Sequence, residues 1–156
     1  MGELERLLTV LTLVAVLVFG SSEPKAEEPI GQIKTLSGVG TVIRGIDTLV
    51  AAVGQQIYQK DRIQTGVNGS LGVTFKDGTQ VSLGAGSDFA VRDFVFEPQK
   101  GNLSFIVSLL KGSLVYISGR IAALMPQAVE IKTVNGTIGV RGTRFATRVP
   151  PQETVP

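Results

Sequence analysis

Hydrophobic and polar residues alternate along most of this chain. Leu71, Val73 and Phe75 are separated by Gly72 and Thr74, the two-residue period of a strand with one face in a core. Asp77-Gly78 follows, a strong signal for a tight hairpin, and Val81 and Leu83 then resume the alternation. Phe89 and Val91 hold one phase while Phe94 and Phe96 hold the other, so the pattern predicts a bulge near Arg92-Asp93. Leu103, Phe105, Val107 and Leu109 form a further strand, which Lys111-Gly112 is expected to break. Residues 114–117 (LVYI), apolar in both phases, read as a strand buried on both faces. Val129 and Ile131 lead to an Asn135-Gly136 turn, with strands expected at 137–140 and 143–147. Only residues 119–125 have the makings of a short helix, ended by Pro126.

Turn signals every 8–12 residues define an all-β single domain of short antiparallel strands and hairpins, a β-sandwich or β-solenoid-like fold. Composition agrees: the 156 residues are rich in Val, Ile and Thr and include 19 glycines. The N-terminus differs. Residues 7–19 (LLTVLTLVAVLVF) carry no charge, too short a run to span a bilayer and the right length for the core of an export signal. The expected organisation is an export signal or N-terminal anchor over 1–26, a linker over 27–30, the β domain over 31–148 and a disordered tail over 149–156.

Candidate chemistry is sparse. Without Cys or His the chain has no thiol nucleophile, imidazole base or Cys/His zinc site. A net charge of +2 is too small to indicate nucleic acid, and no aromatics are interleaved with the cations to stack bases. The glycines at 38, 40, 84 and 86 lack phosphate-loop spacing and read as turns. Asp77, Asp88, Asp93 and Glu97 are close in sequence but without calcium-loop spacing, and read as a turn residue and solvated surface. Asn68, Asn102 and Asn135 each begin an Asn-x-Ser/Thr triplet; turn chemistry explains two of them, and no glycan is expected. The second half is locally basic, which suits an anionic partner or an ordinary charged strand face. These residues imply no enzyme and no cofactor or metal.

Four blocks together resemble the FecR domain, a periplasmic all-β signalling module. They are GQIKTLSGVGTVIR (31–44), similar to the family's opening hairpin; VGQQIYQKDRIQTGVNGSLGVTF (53–75) with the KDGTQVSLGAGSDF that follows; LKGSLVYISGRIA (110–122); and IKTVNGTIGVRGTRF (131–145). The resemblance makes Asp61, Arg62, Thr65, Asp77, Gly78, Thr79, Gly112, Arg141, Gly142, Thr143 and Phe145 the family-motif residues, with structural roles. Gly142 would turn a corner and Arg141 would bond inward, with Asp61 as its carboxylate partner. Two positions depart from the pattern: Lys60 stands where the family has Gly, and Val134 where it has Pro. Six residues ahead of the apolar run leave no room for the family's cytoplasmic sigma-factor-binding region, so a direct anti-sigma role is not implied.

The resemblance implies an exported, non-catalytic sensing or interaction module of the bacterial cell envelope. It would bind an envelope or membrane protein partner in signal transduction, with its N-terminal segment able to anchor it to the inner membrane. The alternatives are a carbohydrate- or peptidoglycan-binding module and a structural envelope component.

Overall fold

The computed structural model describes residues 26–151. The leader expected over 1–26 falls almost wholly outside the described residues, as does the tail from 152 onward. Among the described residues no helix is long and apolar enough to cross a membrane.

Twelve strands form one curled, mostly antiparallel sheet, a half-barrel. They are β1 (Gly31–Ser37), β2 (Gly40–Arg44), β3 (Asp47–Val50), β4 (Gln56–Ile57), β5 (Arg62–Thr65), β6 (Ser70–Phe75), β7 (Gln80–Leu83), β8 (Asp88–Glu97), β9 (Asn102–Ile117), β10 (Val129–Thr133), β11 (Gly136–Gly139) and β12 (Arg144–Val149). The main path runs β3-β2-β5-β8-β9-β7-β6-β1-β4, with β10, β11 and β12 branching from β9. A short helix, α1 (Arg120–Leu124), and two 3-10 turns (Pro98–Lys100 and Pro126–Ala128) complete the chain. The all-β class and the short antiparallel strands are as expected. The architecture is a single sheet folded over on itself rather than two separate sheets.

Strand β9 makes this possible. Its first part lies between β8, antiparallel, and β10, parallel; its last part lies between β7 and β12, both antiparallel. Lys111-Gly112 does not break the strand but bends it, because Gly112 adopts φ 91° and lets the same strand serve both halves. Residues 114–117 are not buried on both faces: Leu114 and Tyr116 are buried, while Val115 and Ile117 are half-buried. With this bend the apolar faces of the two halves meet. Phe75 of β6 stacks on Phe94 of β8 at 5.6 Å and meets Phe105 of β9 edge-on at 5.0 Å.

The remaining elements follow local chemistry. Leu71 and Val73 of β6 pair with Leu83 and Val81 of β7 around the Asp77-Gly78 turn. The phase change in β8 is a bulge at Arg92: Val91 pairs with Val107 and Asp93 with Ile106, which returns Phe94 to the core. Residues 31–44 are not a hairpin. β1 pairs with β4 and β6 while β2 pairs with β3 and β5, so these neighbours in sequence sit near opposite ends of the sheet path. Gly38, at φ 68°, makes the corner, where its Cβ would fall 2.8 Å from the Asn68 carbonyl.

Candidate functional site

The motif residues separate into those that hold the fold and those that do not. Asp61 is fully buried and accepts two hydrogen bonds from Arg44 (2.9 and 2.7 Å) and one from the Tyr58 amide (2.8 Å). The Arg44 guanidinium also lies 4.3 Å from the centre of the Tyr58 ring, and its hydrogen bonding to Asp61 raises its pKa. The partner expected for Asp61 was Arg141; the structure puts Arg44 there, because β2 and not the closing loop passes over this turn.

Arg62 forks onto Asp88, which also accepts from Gln64 (2.9 Å). Burial works against the Asp88 charge, yet the hydrogen bonds from Arg62 and Gln64 and the charges of Arg62 and Lys111 outweigh it and hold the carboxyl below its ordinary range. Asp88 is therefore buried and paired, not solvated surface as expected. The Thr65 hydroxyl donates to the Gly84 carbonyl (2.6 Å) and accepts the Ser87 amide (2.8 Å). At the β9 bend, Gly112 packs directly on Ser87, whose hydroxyl donates to the Gly84 and Ser113 carbonyls.

Asp77 is also buried rather than an exposed turn residue. Its carboxylate accepts the Thr79 amide (3.0 Å), the Thr79 hydroxyl (2.6 Å) and the Ile121 amide (3.3 Å), while its carbonyl accepts the Arg120 amide (2.8 Å). The hairpin turn thus caps the first turn of α1. Gly119 is required there, since a Cβ would lie 2.3 Å from the Thr79 nitrogen. Phe145 stacks on Tyr116 at 5.2 Å. The Tyr116 hydroxyl, buried beside Thr79 and Asp77, has no hydrogen bond of ordinary geometry, and burial pushes it up to about 12.

Arg141, Gly142 and Thr143 behave differently. All three are exposed, in the link between β11 and β12. Gly142 turns the corner at φ 141°, and the Thr143 carbonyl accepts the Ser118 amide (2.9 Å). Among the described residues the Arg141 guanidinium has no hydrogen bond and no ion pair. It stands on the rim of a groove of about 750 Å3 between α1, the 3-10 turn after it, and β10–β11. Ala122, Val129 and Val140 give the groove its apolar lining; Gln127, Glu130, Thr137 and Arg141 are its polar side chains. Beside it, β11 pairs only with β10 among the described residues, which leaves its other edge open there. Sequence reasoning missed this groove because α1 and β11 come together only through the parallel pairing of β10 with β9.

No group of three or more acidic residues among the described residues is arranged to hold a metal ion. Asn68, Asn102 and Asn135 are exposed, at turns or at a strand start.

The family model described as FecR protein matches residues 61–155, the part of the chain that holds the Asp61, Asp77 and Arg141 blocks. The chain belongs to the FecR family, a signalling and regulatory family whose members are generally non-catalytic and typically associated with the cell envelope. Strands β1 to β4 precede the matched region, yet β1 pairs with β6 and β2 with β5, making them part of the same sheet. No curated protein and no solved structure gave a significant match.

Proposed function

We propose that this protein is a non-catalytic FecR-type sensing module that engages an envelope or membrane protein partner through the groove beside Arg141. One observation carries the reading. The motif carboxylates Asp61 and Asp77 and the hydroxyls of Thr65 and Thr79 are used up inside the fold, whereas among the described residues the Arg141 and Thr143 side chains make no hydrogen bond or ion pair. An exposed, unpaired guanidinium next to an apolar groove and an open strand edge is the usual equipment of a peptide- or protein-binding surface.

The test is retention from native envelope by the purified full chain, with mass spectrometry of the bound fraction, compared with Arg141→Glu. The reading expects a membrane regulator or receptor retained by the wild type and lost from the variant. Nothing retained by a folded wild type, or equal retention by Arg141→Glu, would refute it.

A further inference from the structure

The outer face of the β1, β6, β7, β9 and β12 half of the sheet has an unusual chemistry. Cross-strand pairing puts Gln32, Thr74, Gln80, Ile117 and Arg144 in one row. The next row is Thr35, Gly72, Ser82, Val115 and Ala146, and Ser113 and Arg148 pair beyond it. Gln56 of β4 extends the first row past Gln32. No strand residue on this face is acidic. The bulge residue Lys34 joins the face by donating to Gln32 Oε1. Hollows of about 300 Å3 with Lys34 and Lys76, the latter ion-paired with Glu28 at 3.3 Å, and 320 Å3 with Lys111 and Arg148, lie at its two ends.

The rows also continue across two glycines. Gly72 and Gly84 lack the Cβ atoms that would collide with Thr35 Oγ1 and Ser113 Oγ, so the hydroxyls of neighbouring strands close over the gaps. At about 4.8 Å per strand the face spans roughly 19 Å from β1 to β12.

We infer that this face is a binding surface for an acidic polysaccharide, a site separate from the groove at Arg141. Amides and hydroxyls in rows match sugar hydroxyls, and Arg144, Arg148 and Lys34, spaced rather than clustered, match carboxylates repeated along a polymer. Charge complementarity selects an anionic chain, because no carboxylate on these strands opposes it. The face lacks the aromatic and aliphatic anchors of a protein interface: Val115 and Ile117 are half-buried. The exposed aliphatics Ile46 and Val50, which could enter a membrane interface, lie on the other half of the sheet. With no exposed aromatic among the described residues of this face to stack on a sugar ring, neutral glucans find too little here to bind.

The experiment is affinity electrophoresis of the full chain through gels containing alginate, with dextran as the neutral counterpart and phosphatidylglycerol vesicles in a parallel sedimentation assay. Alginate should retard the protein, while dextran and vesicles should not hold it. Arg144→Gln/Arg148→Gln should weaken retardation roughly tenfold, the loss of charge-assisted bonds. Ser82→Glu, an exposed change that puts a carboxylate in the middle of the face, should abolish it. Arg141→Glu should bind alginate like the wild type, which separates this site from the protein-binding reading. No retardation by alginate, equal binding to dextran or vesicles, or unchanged binding by a folded Ser82→Glu would overturn the inference.

Discussion

Asp77 and Ile121 are 44 positions apart, and the carboxylate of the first accepts the backbone amide of the second. This bond ties the β6–β7 turn to the start of α1, so the Asp-Gly-Thr block and the Ser-Gly-Arg-Ile-Ala block are two halves of one joint. Asp77→Ala leaves the Thr79 amide, the Thr79 hydroxyl and the Ile121 amide without their acceptor in a buried place. The expected cost is about 3 kcal/mol, read as a lower midpoint in urea unfolding. Asp77→Asn keeps one carbonyl oxygen and should cost about half as much.

Acid should expose the Arg62–Asp88 pair. The Asp88 carboxyl is held below its ordinary value of 3.8, so folding favours its ionised form. That contribution is complete above the unfolded carboxyl value and is lost as pH falls through the lower folded one. Asp88→Asn should therefore unfold more easily at neutral pH, with a stability profile that is flatter than the wild type's below about pH 4. Urea midpoints from pH 2.5 to 7 provide the measurement; parallel profiles would refute the assignment.

Lys60 is the one non-glycine residue with positive φ among the described residues, at 67°. It occupies the third position of the Tyr58–Asp61 turn, closed by the Asp61 amide on the Tyr58 carbonyl at 3.2 Å. The left-handed backbone costs a side-chain-bearing residue about 1–2 kcal/mol, partly offset by the greater freedom glycine has when unfolded. Lys60→Gly should raise stability by roughly 0.5–1 kcal/mol and Tm by a few degrees in a calorimetric scan.

Two glycines with similar φ should respond unequally to alanine. Gly112 (φ 91°) would bring a Cβ to 2.2 Å from Ser87 Oγ and 2.3 Å from Ser87 Cα, whereas Gly78 (φ 85°) has nothing within 4 Å. Gly78→Ala should cost only its backbone strain, about 1 kcal/mol. Gly112→Ala adds a forced separation of β8 from β9 and should cost about 3 kcal/mol or more. Chemical denaturation of both variants makes the comparison, and equal costs would show that the close approach at Ser87 does not matter.

Much of the fold was legible along the chain because strand alternation is a local property. The phase change from Phe89 and Val91 to Phe94 located the Arg92 bulge, and Asp77-Gly78 and Asn135-Gly136 located their hairpins. Pairings between distant segments were not legible in the same way. Nothing local distinguishes Lys111-Gly112 as a bend inside one strand from a break between two. The separation of β1 from β2 depends on what each pairs with 20 to 40 residues later. The buried carboxylates show the same limit: Asp77 and Asp88 look solvated until the Ile121 amide and the Arg62 guanidinium are brought to them. Arg141 was expected to bond inward to Asp61, and only its place on the rim of the groove shows it unpaired among the described residues.

The position of β9 in the chain also constrains how the domain is made. Its first part pairs with β8, made before it, and with β10, made after it; its last part pairs with the earlier β7 and the later β12, which ends at Val149. Until residue 117 has been synthesised, the segments of the two halves have no common strand to assemble on. A chain delivered gradually across a membrane would therefore emerge with β1 to β8 unfinished and their edges open. Its folding should be a late, single cooperative event, and shortening the chain by even its last strand should leave β9 with one flank bare.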